Sequence, residues 1–257
     1  MIMDLGLKDK TVVVTGGSKG IGFAIAKEFL KEGANVFITG RDKEALRKAE
    51  DELKAFGNIQ AIQADGTKNE DTKKTADLAA KLNGRIDIWV NNVGTNKPKR
   101  GEFYEEDEMD FLIGTLYKSA LYGIQNAVPY MKEKGGSIVN ISSLAARCAT
   151  CGRSNLYASM KAALLALTRT SAGEYAKYKI RVNAILPGYT RTPLVEKGFG
   201  KEMLEKLLSS NVTKRMAEPE EIAKPVVFVS SEAASYINGE SIEVSGGQNI
   251  VLNAWEG

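Results

Sequence analysis

Seven short apolar runs, separated by longer amphipathic stretches, constrain the fold of this chain more than any other feature of its sequence. The runs are Thr11–Thr15, Val36–Thr39, Ile59–Ala64, Ile86–Asn91, Ser137–Ser142, Ile180–Leu186 and Ser241–Val244. Such runs are typical of buried strands, and strands that alternate with amphipathic helices build a parallel sheet. The pattern therefore predicts an α/β fold, a doubly wound parallel sheet of seven strands with helices on both faces.

The stretches between the runs have helical spacing. Apolar residues recur at helical intervals from Ile21 to Phe29, and Gly33 is placed to end that helix. Further helices are predicted over about 42–56, 67–83, 105–134, 155–178 and 218–231. Because no linker or repeat interrupts the pattern, we expect one domain, 1–257. The weakest pattern, at about 188–213, follows the carboxyl end of a strand and is predicted to form a substrate lid.

Charge and composition exclude several classes of function. The 35 basic and 32 acidic residues are spread along the chain and give a net charge of +3, so neither nucleic acid nor a membrane is an expected partner. No signal peptide or membrane-spanning run is recognisable. With no histidine and two cysteines, we expect neither a histidine-based mechanism nor a metal site, and the low cysteine content fits the cytoplasm.

A glycine-rich segment follows the first apolar run and opens the first helix. It reads Thr-Gly-Gly-Ser-Lys-Gly-Ile-Gly from Thr15 to Gly22. Glycines between a strand and a helix allow a tight turn and a close backbone approach to a diphosphate at the helix N-terminus. The segment predicts a dinucleotide site on a Rossmann-like sheet.

The end of the second strand indicates which dinucleotide binds. NAD sites usually carry an acid there for the ribose hydroxyls, but this chain has Gly40 followed by Arg41. A guanidinium suits a 2′-phosphate, and Lys19 in the glycine loop adds a second positive charge. Asp42 could instead hold the ribose or cap the next helix. We expect NADP(H) to be favoured over NAD(H).

The predicted catalytic group lies around the fifth strand. Tyr157 and Lys161 are four residues apart, which places both on one helical face. A nearby ammonium lowers the pKa of a phenol and makes it a usable acid or base. Ser142 and Ser143 end the strand, where a hydroxyl could hydrogen-bond a carbonyl oxygen.

Together these motifs resemble the short-chain dehydrogenase/reductase family over nearly the whole chain. The shared motifs are TGxxxGxG (Thr15 to Gly22), an NNAG-like Asn91 to Gly94, the active-site serine in Asn140 to Ser143, YxxxK (Tyr157 to Lys161) and PGxxxT (Pro187 to Thr192). The resemblance implies that Tyr157 donates or accepts the proton, Ser143 positions the substrate oxygen, and Lys161 holds the nicotinamide ribose and tunes Tyr157. It also implies a homotetramer, formed through the helices near 105–134 and 155–178 and the C-terminal strand.

The resemblance also implies a set of cofactor contacts. Asp65 would meet the adenine, Asn91 and Gly94 would line the cleft, and Thr192 would contact the carboxamide. The full expected set is Gly16, Ser18, Lys19, Gly20, Ile21, Gly22, Arg41, Asp65, Asn91, Gly94, Tyr157, Lys161, Pro187, Gly188, Thr190 and Thr192.

The chain departs from the family pattern at Leu116. The family commonly has an asparagine there that serves a proton relay, and leucine cannot hold the relay water. We expect a carbonyl or hydroxyl of this helix, with Thr115 and Ser119 nearby, to hold it instead. Cys148 and Cys151 form a C-x-x-C run that is interpreted as pocket lining rather than a redox pair. The basic residues of 97–100 are interpreted as a solvated loop.

These features predict an NADP(H)-dependent oxidoreductase that interconverts a ketone and a secondary alcohol. The apolar residues of the lid favour a bulky cyclic substrate such as a hydroxysteroid. Two alternatives remain open: a 3-oxoacyl thioester reductase, and a dinucleotide-binding regulator without turnover.

Overall fold

The computed structural model describes residues 4–95, 102–148, 154–198, 200–209 and 211–248. Within these ranges the strands are β1 Thr11–Val14, β2 Asn35–Gly40, β3 Ile59–Gln63, β4 Ile88–Asn91, β5 Gly136–Ile141, β6 Ile180–Pro187 and β7 Ser241–Val244. The helices are α1 Gly20–Lys31, α2 Lys43–Leu53, α3 Asn69–Asn83, α4 Glu106–Ile113, α5 Ser119–Met131, α6 Asn155–Tyr175, α7 Pro193–Gly198, α8 Lys201–Ser209 and α9 Pro219–Ser230. None of these helices is long and apolar enough to cross a membrane.

The seven strands form one parallel sheet in the order β3-β2-β1-β4-β5-β6-β7. This confirms the predicted seven-stranded, doubly wound α/β sheet. The chain moves outward from β1 to β3 and then returns to the other side of β1 to add β4. The order therefore reverses between β1 and β4, which is where ligands bind in open α/β sheets.

Two hydrophobic layers cover the sheet, one on each face. On one face, α1, α2 and α9 pack over alternate strand residues, and the first helix lies directly against the last. On the other face, α3, α5 and α6 cover the remaining strand residues around Trp89. Because both faces are buried, the strands read as continuous apolar runs rather than alternating ones.

The long helix predicted over 105–134 contains a feature that its apolar pattern does not reveal. Gly114–Lys118 forms a π-helical segment between α4 and α5. The Ser119 hydroxyl donates to the Thr115 carbonyl at 2.7 Å within this segment. One wider turn hardly changes the spacing of apolar residues in a helix of about 3.6 residues per turn. The sequence pattern therefore predicted a single continuous helix.

A buried chain of polar side chains ties β4, β5 and α6 together. Trp89 Nε1 donates to Asn91 Oδ1 at 2.8 Å, Asn91 Nδ2 to Asn140 Oδ1 at 2.9 Å, and Asn140 Nδ2 to Thr168 Oγ1 at 2.9 Å. Gly123 of α5 leaves the room for it, since a Cβ there would collide with the Asn91 and Trp89 side chains.

We expect Gly123→Ala to lower the free energy of unfolding by about 1–3 kcal/mol, because the added methyl overpacks the site and displaces buried hydrogen bonds. Gly173→Ala in α6 is the matched control, since a Cβ at Gly173 meets nothing within 4 Å. The control should gain about 0.5–1 kcal/mol from helix propensity. Urea unfolding measures the free energy of unfolding of both variants. Equal changes in the two variants would show that the buried polar chain does not need the space at Gly123.

Candidate active site

The crevice between β1 and β4 is closed at its base by the loops that follow these strands. The Asn92 side-chain amide donates to the carbonyls of Thr15 at 3.1 Å and Gly16 at 3.0 Å. The Thr15 hydroxyl donates to the Val90 carbonyl at 3.1 Å. These bonds fix the glycine loop against the end of β4, so the two loops form one rigid floor.

The glycine loop has the geometry of a diphosphate cradle. Gly16 and Gly20 have φ angles of +67° and +58°, where side chains are strongly disfavoured. A Cβ at Gly22 would collide with the Gly16 carbonyl and the Asn92 amide. Lys19 is the N-cap residue of α1, and its side chain makes no capping hydrogen bond. N–H groups of the first helical turn are therefore available to an anion. These residues fit a dinucleotide diphosphate, and the partly buried Ile21 anchors the turn on the core below.

The segment from Pro187 to Thr192 lies across the glycine loop. Thr192 Cγ2 is 3.3 Å from where a Cβ of Gly20 would stand. Gly188 packs against the Ser245 backbone and Thr190 is buried, its hydroxyl donating to the Gly188 carbonyl at 3.2 Å. The structure thus brings two distant sequence motifs together, and α7 and α8 of the expected lid follow directly.

The end of β2 lies beside the glycine loop. Gly17 N donates to the Thr39 carbonyl at 3.0 Å, and the Ser18 hydroxyl oxygen is 3.4 Å from the position of a Cβ on Gly40. Arg41 is exposed next to it. Asp42 caps α2, its Oδ1 accepting from the backbone N–H groups of Glu44 at 3.0 Å and Ala45 at 3.1 Å. The Asp42 carboxylate is therefore engaged by the helix that it begins.

Asp65, at the end of β3, faces the same corner. Burial disfavours its charged form, but the Thr67 N–H at 3.0 Å and the Thr67 hydroxyl at 2.8 Å both donate to Oδ1. Together with the positive charges of Arg41 and Lys68, these bonds hold the pKa of Asp65 below its usual value. Asp65 is thus an ionised, oriented acceptor at the far end of the crevice.

Lys161 is buried beneath the end of β5. Its Nζ donates to the Ile141 carbonyl at 2.7 Å and lies 6.0 Å from the centre of the Tyr157 ring. Burial disfavours the charged form and lowers the pKa of Lys161 to about 8. The ammonium is therefore held close to the half-buried tyrosine on the same helical face.

The two serines at the end of β5 have different surroundings. Ser142 is buried, and its hydroxyl donates to the Lys161 carbonyl at 2.8 Å. Ser143 is half-buried, and its hydroxyl oxygen accepts from Ala145 N at 3.2 Å. Ser142 therefore holds α6 against the strand, while Ser143 is the serine placed at the rim of the crevice.

Three residues that the sequence reasoning did not single out help to build the site. Asn92 joins the loops, whereas the Asn91 side chain is turned into the buried polar chain and only its backbone remains for a ligand. Ser154 caps α6 by accepting from Tyr157 N at 3.0 Å, and the Tyr104 hydroxyl is hydrogen-bonded to Ser154. A serine before a helix is a recognisable cap signal, but no local pattern pairs it with Tyr104.

Leu116, at the expected relay position, lies close to the lysine. A Cβ on Gly94 would be 3.5 Å from Lys161 Nζ and 3.9 Å from Leu116 Cδ2, so both side chains meet beside this glycine. The Thr115 hydroxyl is buried and has no hydrogen-bond partner among the described residues, whereas Ser119 is bonded to the Thr115 carbonyl. Thr115 therefore offers a polar group next to an apolar relay position.

Some predicted features fall partly outside the described residues. Cys148 is half-buried in the loop after β5, but Cys151 lies outside. The basic residues Lys97, Lys99 and Arg100 also lie outside. In the described part of the chain, no group of three or more acidic, cysteine or histidine side chains could hold a metal ion.

Comparison with known proteins extends these observations. Residues 16–249 match a family model described as enoyl-(acyl carrier protein) reductase. A tropinone reductase homolog of Arabidopsis thaliana is 36% identical over 95% of this chain and 94% of its own length. A 3-oxoacyl-[acyl-carrier-protein] reductase of Thermotoga maritima is 34% identical over 94% of this chain and 98% of its own. The structure of L-sorbose reductase from Gluconobacter frateurii, complexed with NADPH and L-sorbose, superposes with a TM-score of 0.89 at 32% identity, covering 97% of this chain and 100% of that one.

Burial of Lys161 makes stability depend on pH in a defined direction. Because its pKa falls from 10.5 to about 8 on folding, the unfolded chain binds more protons between these values. The free energy of unfolding should therefore rise with pH through this window, by at most about 3 kcal/mol. Chemical unfolding at several pH values measures this, with Lys161→Met as the reference. If the free energy of unfolding changed with pH in the same way in both proteins, Lys161 would not be a buried ammonium that titrates in this window.

Proposed function

Because the chain belongs to the short-chain dehydrogenase/reductase family and is thus an oxidoreductase, we propose that it interconverts a ketone and a secondary alcohol with NADP(H). The observation that carries the proposal is the buried Lys161 ammonium beside the Tyr157 ring, with Ser143 at the rim of the same crevice. A site that only bound a dinucleotide would have no need for an acid–base pair of this kind.

In this proposal Tyr157 transfers the proton. Its hydroxyl donates a proton to the carbonyl oxygen during reduction and accepts one from the alcohol during oxidation. The ammonium of Lys161, 6.0 Å from the centre of the Tyr157 ring, would stabilise negative charge on the Tyr157 oxygen. The Ile141 carbonyl and the turn of helix between the two residues hold Lys161 in place.

Ser143 positions the substrate oxygen in this scheme. Its hydroxyl lies at the end of β5 and would donate to the carbonyl oxygen, stabilising the negative charge that develops there. When bound, the dinucleotide supplies or accepts the hydride. Lys161 would also bind the nicotinamide ribose, beside Gly94.

The remaining cofactor contacts follow the crevice from end to end. Gly16, Gly20 and Gly22 would let the backbone approach the diphosphate. N–H groups of the first turn of α1 would hold it, with Ser18 and Ile21 in the same turn. Asp65 and Asn91 would contribute at the adenine side and the cleft wall. The segment Pro187, Gly188, Thr190 and Thr192 would close over the nicotinamide, with Thr192 at the carboxamide; its contact with Gly20 supports this placement.

The preference for NADP(H) rests on charge at the end of β2. Lys19 in the glycine loop and Arg41 after β2 are both exposed, and their positive charges would suit a 2′-phosphate. Asp42, the residue that would favour NAD, is engaged in capping α2. The L-sorbose reductase relative was solved as a complex with NADPH, which supports the proposal.

We assign the relay water to the Thr115 hydroxyl. It is buried in the π-helical segment without a partner among the described residues, and buried hydroxyls are normally satisfied by protein or water. Leu116, its neighbour, lies with Lys161 beside Gly94, and both side chains are buried. This arrangement would do without the family asparagine.

For the substrate we propose a bulky cyclic compound, such as a hydroxysteroid in the oxidation direction or an alkaloid-like ketone in the reduction direction. Leu194 of α7 and Met203 of α8 are half exposed, and Phe103 before α4 is 76% exposed, so large apolar side chains are available around the expected lid, 188–213. The tropinone reductase homolog supports this class. A 3-oxoacyl thioester is the alternative, favoured by the Thermotoga maritima relative. By family resemblance we also propose a homotetramer in the cytoplasm.

The cofactor proposal predicts a selective loss of affinity. Arg41→Ala should weaken NADPH binding by about 10- to 100-fold, the value of a charge-assisted hydrogen bond to phosphate, and leave NADH binding nearly unchanged. Fluorescence titration with both dinucleotides measures this. Asp42→Ser, which retains a capping hydroxyl, is the control. If wild-type protein bound NADH more tightly and Asp42→Ser lost that affinity, Asp42 would hold the ribose and the proposal would be wrong.

The catalytic proposal predicts that Tyr157→Phe lowers turnover by about 10²- to 10⁴-fold while NADPH affinity is kept. Turnover is measured by the loss of NADPH absorbance with steroid, bicyclic and 3-oxoacyl ketones, and with an enoyl thioester to test the reaction named by the family model. Tyr178→Phe is the matched control, since Tyr178 lies in the short turn after α6 and packs against the hydrophobic layer around Trp89.

The outcomes separate the alternatives. Turnover of cyclic ketones alone supports the bulky substrate, and turnover of 3-oxoacyl thioesters alone supports the alternative. Tight NADPH binding without turnover of any compound, and with no effect of Tyr157→Phe, would favour a dinucleotide-binding regulator.

A further inference from the structure

A second cleft lies at the opposite edge of the sheet from the crevice. It has a volume of about 180 Å³ and lies where β1, β4, β5 and β6 begin. Its lining includes Lys10 before β1, Arg85 and Asp87 before β4, Ser137 in β5, and Arg181 in β6. No motif of the dinucleotide site contributes to it, so its chemistry is independent of the proposed function.

The cleft is strongly positive. Five basic residues line it, and Asp87 and Glu232 are the acidic residues of the lining. Arg85 pairs with Asp87 at 2.7 Å, and Lys10 lies 3.9 Å from Asp87 and 3.5 Å from Glu232. The other three basic residues of the lining have no carboxylate within 4.0 Å in the described part of the chain; they are Lys134, Lys179 and Arg181.

Arg181 is the most constrained of these three. Its guanidinium donates to the carbonyls of Val229, Ile237 and Ser231 at 2.8–2.9 Å, so it is held rigidly at the C-terminal end of α9. Burial also lowers the pKa of Arg181, because the guanidinium is partly removed from water. Such a fixed, partly desolvated cation is favourable for an anion in the adjoining space.

Two hydrogen-bonding atoms of the lining lack an acceptor. Ser137 is 2% exposed, and its hydroxyl has no hydrogen-bond partner among the described residues. The Nε of Arg85 is also buried without a partner there. Buried groups of this kind are rare in folded proteins unless a ligand or water satisfies them.

We propose that this cleft binds a small oxyanion of the phosphate class, either inorganic phosphate or a phosphate monoester. Phosphate oxygens accept several hydrogen bonds at once, which matches unpaired donors surrounded by excess positive charge. The volume equals that of about six waters at ~30 Å³ each, sufficient for the anion with part of its hydration. Bound there, the anion would join the beginnings of four strands and stabilise the native state.

The test measures thermal unfolding of the full chain with saturating NADP+, which occupies the glycine loop and removes it as a competing phosphate site. Inorganic phosphate and glycerol phosphate are titrated separately, against potassium chloride at matched ionic strength. The unfolding midpoint should rise with phosphate and saturate. A larger rise with glycerol phosphate would identify a monoester as the ligand, and an equal rise would identify phosphate itself.

Two variants locate the response. Ser137→Ala should weaken phosphate binding on the order of tenfold without lowering the midpoint in phosphate-free buffer, because the hydroxyl has no protein partner to lose. Lys134→Gln combined with Lys179→Gln should weaken it by tenfold or more. Lys73→Gln combined with Lys74→Gln on the exposed side of α3 removes the same charge elsewhere and should change nothing.

The proposal is wrong if phosphate stabilises no more than chloride, or if the cleft variants respond like the wild-type protein. A response that disappears in Lys19→Gln and persists in the cleft variants would place the phosphate in the glycine loop instead. Because the cleft shares no residue with the crevice, failure here would leave the proposed dehydrogenase activity untouched, and a protein without turnover could still bind the anion.

Discussion

A lysine ammonium buried beneath the end of β5 is the constraint on which the active site depends. A buried charge is costly, and here one hydrogen bond to the Ile141 carbonyl offsets part of that cost. The bond requires α6 to pack against β5 at a fixed position along the strand. Two further hydrogen bonds fix that position, one from Ser142 to the Lys161 carbonyl and one from Asn140 to Thr168. Three consecutive residues at the end of β5, Asn140 to Ser142, thus position α6, and with it Tyr157 one helical turn before the lysine.

Much of the fold was predictable because its causes are local. Strands buried on both faces read as apolar runs, and glycine loops, caps and a proline at a helix start have recognisable signatures. Every predicted strand and helix is present, with bounds within a few residues. The π-helical segment was missed because one wide turn hardly disturbs a helical apolar pattern.

The geometry of the candidate site was predictable only where the residues concerned belong to one local sequence motif. Tyr157 and Lys161 share a helix, so their spacing sufficed. The contact of Thr192 with Gly20 joins residues far apart in the chain and depends on the sheet order. The same holds for Asn91 and Asn92, since only the structure shows which amide enters the interior and which one braces the glycine loop. Direction of a side chain is set by the pleat and by neighbours that sequence does not identify.

The packing of α1 against α9 has a consequence for how the chain is made. The apolar face of α1, with Ile25 and Phe29, leaves the ribosome long before the helix that covers it, which ends at Ser230. The half-sheet β1–β3 can pair during synthesis, yet the α1 face stays exposed until α9 has also been made. This layer of the core is therefore completed only after β4, β5 and β6 have been synthesised, and the nascent chain carries an uncovered apolar helix face throughout that interval.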